Sequence, residues 1–88
     1  MKEKELEKIF KGLANKRRLT ILSLLKNEKE LSVGVIAEKI KLSFKSTSKH
    51  LNILSSLDII EKEQKSSMVF YRISSVMDGT TRKILSLI

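Results

Sequence analysis

The stretch Ser32–Leu57, SVGVIAEKIKLSFKSTSKHLNILSSL, decides the fold of this chain. Val33, Ile36, Ala37 and Ile40 recur at three- and four-residue spacing, and so do Thr47, Leu51 and Leu54, with Leu57 extending the second stripe. Each set marks the inward face of a helix. The spacing predicts one helix over 32–41, with Ser32 as its N-cap, and a second over 44–57 capped by Ser43. A serine hydroxyl at such a position accepts from a free N–H of the first turn. Leu42 and Ser43 interrupt the two patterns, leaving two short helices across a turn of about three residues, the spacing of a helix-turn-helix. The window from Lys39 to Leu57 also holds Lys39, Lys41, Lys45 and Lys49 and no acid.

Working outward, Leu6, Ile9, Phe10 and Leu13 form one apolar stripe of a helix over about 3–13. Asn15 is a good N-cap for a helix over about 16–27, whose Leu19, Ile21, Leu22, Leu24 and Leu25 make the wide stripe a central helix needs. Downstream, Ile59–Glu63 and Met68–Ile73 are rich in β-branched and aromatic residues, and the polar Gln64–Ser67 between them suits a hairpin loop. A last helix is expected over about 75–88, with Val76, Ile84, Leu85, Leu87 and Ile88 as its apolar residues and Gly79 and two threonines weakening its first half. The order is α-α-α-turn-α-β-β-α: mainly α with a small β-hairpin, a winged helix-turn-helix filling one domain over residues 1–88.

Eighteen basic against ten acidic residues give a net charge of +8, which suits a polyanionic partner. The first thirty residues mix both signs, so the acid-free window is the sharper signal. There is no cysteine and one histidine, so no disulfide and no thiolate metal site is expected, and no cofactor is implied. No nucleophile elbow, phosphate-cradling glycine loop or carboxylate pair suggests an enzyme. No stretch approaches the length of a membrane span, and the charged Met1–Glu5 is not a signal peptide, so a cytoplasmic protein with no membrane partner is expected.

Double-stranded DNA is the partner this pattern favours. If Thr47, Leu51 and Leu54 face inward, Phe44, Lys45, Ser48, Lys49 and Asn52 lie outward, where a recognition helix meets base edges. Ser43 and Ser46 sit at the helix start, within reach of phosphates, and Lys41 lies just before it. Lys45 and Lys49, four apart, repel each other unless a phosphate row faces them. Phe44 either packs on Val33 and the third helix or touches a thymine methyl. His50 is either a structural hydrogen-bonding residue or a phosphate contact. In the hairpin, Lys62, Lys65 and Arg72 are candidate DNA contacts, with Lys65 at the tip the best of them, although Glu61 and Glu63 share the strand and Arg72 can support the hairpin instead. Lys16, Arg17 and Arg18 either touch phosphate or pair with Glu3, Glu5 and Glu7. A chain this small has a thin core, and the terminal helices carry leftover apolar residues: Leu6, Ile9 and Phe10 in the first, Ile84, Leu85 and Ile88 in the last. A symmetric pairing of those helices in a homodimer would cover them. The alternative is a winged helix used for protein contact without direct DNA readout.

Three segments resemble the ArsR-type (arsenical-resistance repressor-like) winged-helix regulators. Phe10–Leu22, FKGLANKRRLTIL, is similar to the family's opening; Leu42–Leu51, LSFKSTSKHL, to its recognition helix; and Val69–Ile73, VFYRI, to its second wing strand. The resemblance spans about Ile9 to Ile73. It implies a homodimer, built by the first and last helices, that represses or tunes transcription, and it places His50 in the recognition helix. Many members release DNA on binding a metal ion, often through a cysteine-x-cysteine pair in the third helix. Ser32 and Gly34 stand at the matching positions, so a thiolate response is not expected, and the effector stays open. Lys41 stands where such turns often have glycine, and Phe44 where the family is commonly polar.

Overall fold

A computed structural model describes residues 1–88. Helix α1 spans Glu3–Leu13 and α2 spans Lys16–Asn27. The break between them is made by Asn15, whose side chain accepts from Arg18 N at 3.1 Å. A two-residue strand β1, Leu31–Ser32, leads directly into α3, Val33–Ile40, and α4 covers Phe44–Ser56. Strands β2, Ile60–Lys65, and β3, Met68–Ile73, form the hairpin, and α5 covers Gly79–Leu85. Ser32 and Ser43 cap α3 and α4 by accepting from Val35 N and Ser46 N.

Both helices of the central pair end in the same way. Lys41 adopts φ 55°, ψ 50°, and the N–H groups of Lys41 and Leu42 donate to Glu38 O and Ala37 O. Asp58, at φ 58°, closes α4 with Asp58 N donating to Ser55 O and Ile59 N to Leu54 O. These are Schellman closures built without glycine. The first turns the chain into α4; the second aims it into the sheet.

The sheet differs from the expected hairpin by one strand. Its order is β1-β3-β2, all antiparallel, with Leu31 opposite Tyr71 and Ser32 opposite Phe70. Two residues carry no periodicity, so β1 is invisible to pattern, and it exists because β3 offers it an unpaired edge. The hairpin pairs Lys65 with Met68, leaving Ser66-Ser67 as its loop. Positive φ at Ser66 alone matches a type II′ turn.

The core joins Ile21, Leu22 and Leu25 of α2 to Ile36, Leu51 and Leu54 of the helical pair and to Ile59 and Ile60 at the sheet entrance, all essentially inaccessible. The last helix is shorter than expected. Asp78 caps it by accepting from Thr81 N at 2.7 Å, so Ser75–Met77 lie outside it. Met77 enters the core and Val76 stays exposed. Lys26 Nζ ties this end of the chain to α2 by donating to Leu85 O at 2.9 Å and to Ile88 O. No helix is long and apolar enough to cross a membrane.

Candidate nucleic-acid interface

Thr47, Leu51 and Leu54 are fully buried, so the orientation of α4 is settled by packing. At about 100° per residue, Phe44, Ser48, Asn52, Lys45 and Lys49 then fall in that order across an arc of roughly 140° that starts beside Leu51 and turns away from the core. Lys45, Lys49, Asn52 and Phe44 are exposed and Ser48 is half-buried. Ser43 stands at the tip of the helix, and Lys41 is exposed in the turn before it. Ser46 lies outside the arc; its N–H is engaged by the Ser43 hydroxyl.

His50 also lies outside the arc. Its Nδ1 is 3.2 Å from Arg18 Nη1. The same guanidinium donates through Nε to Gly12 O at 2.5 Å and through Nη2 to Lys11 O at 3.3 Å. An arginine can only donate, so Nδ1 accepts, as a neutral imidazole. Partial burial, with Arg18 and then Arg17 nearby, holds the His50 imidazole below its ordinary pKa. In the fold this histidine joins α4, through Arg18, to the end of α1.

Phe44 is 63% exposed and lines one groove with Val33 and Gly34, so most of its ring is open to solvent. Across a shallow apolar groove lies Met68, 50% exposed at the wing tip. Met68 had no signal in the sequence as a surface residue; only the register of β3 turns it outward.

The wing is electrostatically quieter than its lysines and arginine suggest. Lys65 Nζ lies 2.5 Å from Glu30 Oε1 and 5.2 Å from the centre of the Phe70 ring. Its hydrogen bond holds the Glu30 carboxyl below the usual carboxylate range and pushes the Lys65 ammonium up. Arg72 donates to Glu61 at 2.9 Å and Glu63 at 3.0 Å, with Glu30 at 3.8 Å. Arg72 is thus a brace within the wing, not a spare cation. Lys62 is exposed and makes no ion pair.

Of the residues expected at a dimer contact, Phe10 is 51% exposed, Ile88 is exposed, and Leu6, Ile9 and Ile84 are half-buried. Leu85 is different: at 4% exposure it belongs to the core of its own chain and has no surface to offer. Ser32 and Gly34 flank the Phe44 groove, and the Ser32 hydroxyl is used in capping α3.

Residues 15–62 match the family model described as bacterial regulatory protein, arsR family. The transcriptional repressor SdpR of Bacillus subtilis is 33% identical over 78% of this chain and 76% of its own length. The transcriptional activator HlyU of Vibrio cholerae is 37% identical over 76% of this chain, which spans 61% of HlyU in that alignment. Among solved structures, HlyU from Vibrio cholerae superposes with a TM-score of 0.82 at 30% identity, covering 99% of this chain and 92% of that one. The homodimeric winged helix-turn-helix DNA-binding domain of Mycobacterium bovis Mb0332 gives a TM-score of 0.82 at 28% identity, covering 96% and 74%. The fold, its recognition helix and these likenesses agree, and the chain belongs to the ArsR family of bacterial regulatory proteins.

Proposed function

We propose that this chain is a sequence-specific double-stranded DNA-binding regulator, without enzymatic activity, that acts as a homodimer on a near-palindromic operator in the cytoplasm. The carrying observation is the outward arc of α4: Lys45 and Lys49 lie along one edge of it beside Asn52, Ser48 and Phe44, with no acid among them. Phosphate contacts by the lysines would supply affinity, and Ser48, Asn52 and Phe44 would read base edges. Ser43 and Ser46 at the helix tip, Lys41 beside it and Lys62 on the wing would add backbone contacts. The dimer reading is supported by the exposed Phe10 and Ile88 and by the homodimeric Mycobacterium bovis domain. Two copies would place their recognition helices in successive major grooves, about 34 Å apart. Repression is the mode we favour, because a dimer seated over a promoter excludes the polymerase without any further surface, and SdpR is named a repressor.

The test is fluorescence anisotropy with a mixed pool of labelled duplexes across a salt series, for the wild type and for Lys45→Ala/Lys49→Ala. Log affinity should fall with log salt, and the double variant should flatten the slope by roughly 0.9 for each phosphate that a lysine no longer neutralises. Selection from the bound pool would then give the operator. No binding by the wild type at about 50 mM salt, where such contacts are strong, would instead favour a protein-contact role for the same face.

A further inference from the structure

We propose that Lys16, Arg17 and Lys41 form a second phosphate-binding patch, which grips the DNA backbone beside the recognition helix; this rests on the DNA-binding reading above and extends its footprint to α2. These three cations line one groove between the first turns of α2 and the α3–α4 turn, together with Thr20 and Ile40, and no acid borders it. The sequence left Lys16 and Arg17 open to pairing with Glu3, Glu5 or Glu7, and none of those pairs forms. Glu7 faces Lys11 at 3.9 Å, and every other ion pair lies around the wing.

Arg17 is not loose in solvent. Its Nη1 donates to Ile40 O at 3.1 Å, which lays the guanidinium across the end of α3 and beside Lys41. That bond uses one of five N–H donors and leaves the others for an anion. Thr20 donates its hydroxyl to Lys16 O, so it takes no part. Lys41 lies two residues before Ser43, the cap of α4, so the patch borders the turn that leads into the recognition helix. Three like charges held together without a counter-charge raise the local potential, and a row of phosphates relieves it. Adjacency to the recognition helix through the α3–α4 turn selects a nucleic-acid backbone over an acidic protein as the source of that charge.

The experiment measures binding of the full chain to a labelled duplex by anisotropy across a salt series. The variant is Lys16→Gln/Lys41→Gln, whose side chains make no hydrogen bond in the fold, and thermal melts check that it folds as the wild type does. A control, Lys8→Gln/Lys83→Gln, removes two charges from α1 and α5. The expected result, two lysines lost from each protomer of the dimer, is a slope shallower by roughly 0.9 per lysine, or about 3.6 per dimer, with affinity lowered at least about tenfold and the ratio of specific to mixed-sequence binding unchanged. If the slope equals that of the wild type while Lys45→Ala/Lys49→Ala flattens it, the patch takes no phosphate and the DNA reading stands without it. If the control lowers the slope equally, the effect is the field of the whole molecule and the patch is again overturned. If the wild type binds no duplex, both readings fall together.

Discussion

Thr47 is fully buried on the inward face of α4, and its hydroxyl has no hydrogen-bond partner. A buried polar group left unpaired costs about 1–3 kcal/mol. Thr47→Val keeps the shape and removes that hydroxyl, so it should raise stability by about 1 kcal/mol, seen as a higher urea midpoint at unchanged m-value. An unchanged or lower midpoint would mean that the hydroxyl finds a partner in solution. At His50 the prediction concerns pH. Burial and the neighbouring arginines disfavour its protonated form in the fold, so the unfolded chain binds the proton more readily. Stability from this site is complete above about pH 6.5 and declines as the pH falls below that value toward the folded-state pKa. The melting temperature should drop between pH 7.5 and 5.5, and His50→Asn should show a smaller drop over that interval. The stripe of α4 and the serine caps were legible because they depend on neighbours three and four residues away. The partner of His50 was not, since Arg18 lies in another helix and nothing local pairs them.

At the scale of elements, the wing and α5 depart furthest from expectation. The wing tip lysine meets Glu30, which lies 35 positions away in sequence and just before β1. This contact exists only because β1 joins the sheet. Surface ion pairs of this kind contribute about 0–1 kcal/mol. Glu30→Gln should therefore leave the urea midpoint almost unchanged but release Lys65 for phosphate. Duplex affinity at low salt should rise and the salt slope steepen by up to about 0.9 per protomer, or about 1.8 per dimer. A variant with wild-type slope would show that the wing tip stays clear of DNA. For α5, the useful local signal was Asp78: an aspartate ahead of Gly79-Thr80-Thr81 is a good N-cap. The apolar residues on both sides of it masked that start, because Val76 and Met77 continue the hydrophobic pattern although only Met77 is buried.

For the molecule as a whole, burial divides residues that the sequence groups together. Phe10 and Leu85 belong to the same expected interface, yet one is half exposed and the other is in the core. Phe10→Ser should weaken self-association at least about tenfold by analytical ultracentrifugation, as removal of an aromatic anchor does, while leaving the far-UV spectrum of the chain intact. Leu85→Ala should instead destabilise the fold by about 2–5 kcal/mol, as a cavity in a core does. If Phe10→Ser leaves association untouched, α1 does not build the dimer. The thin core makes this contrast sharp, because a domain this small has little stability to spare.

Taken alone, the sequence determined the order of the five helices and the hairpin, the two capped helices around Lys41 and Leu42, the inward stripe of α4 and hence its cationic outer arc. All of these follow from periodicity and capping, which act within a few residues. The tertiary structure alone decided that β1 completes a three-stranded sheet, that Glu30, Glu61 and Glu63 pair with Lys65 and Arg72 of the wing, that Arg18 binds His50 to the end of α1, and that Lys16 and Arg17 converge with Lys41. Each of these depends on which distant groups the packed helices bring within a few ångströms, and charge pairing at that range follows the fold and not the spacing along the chain.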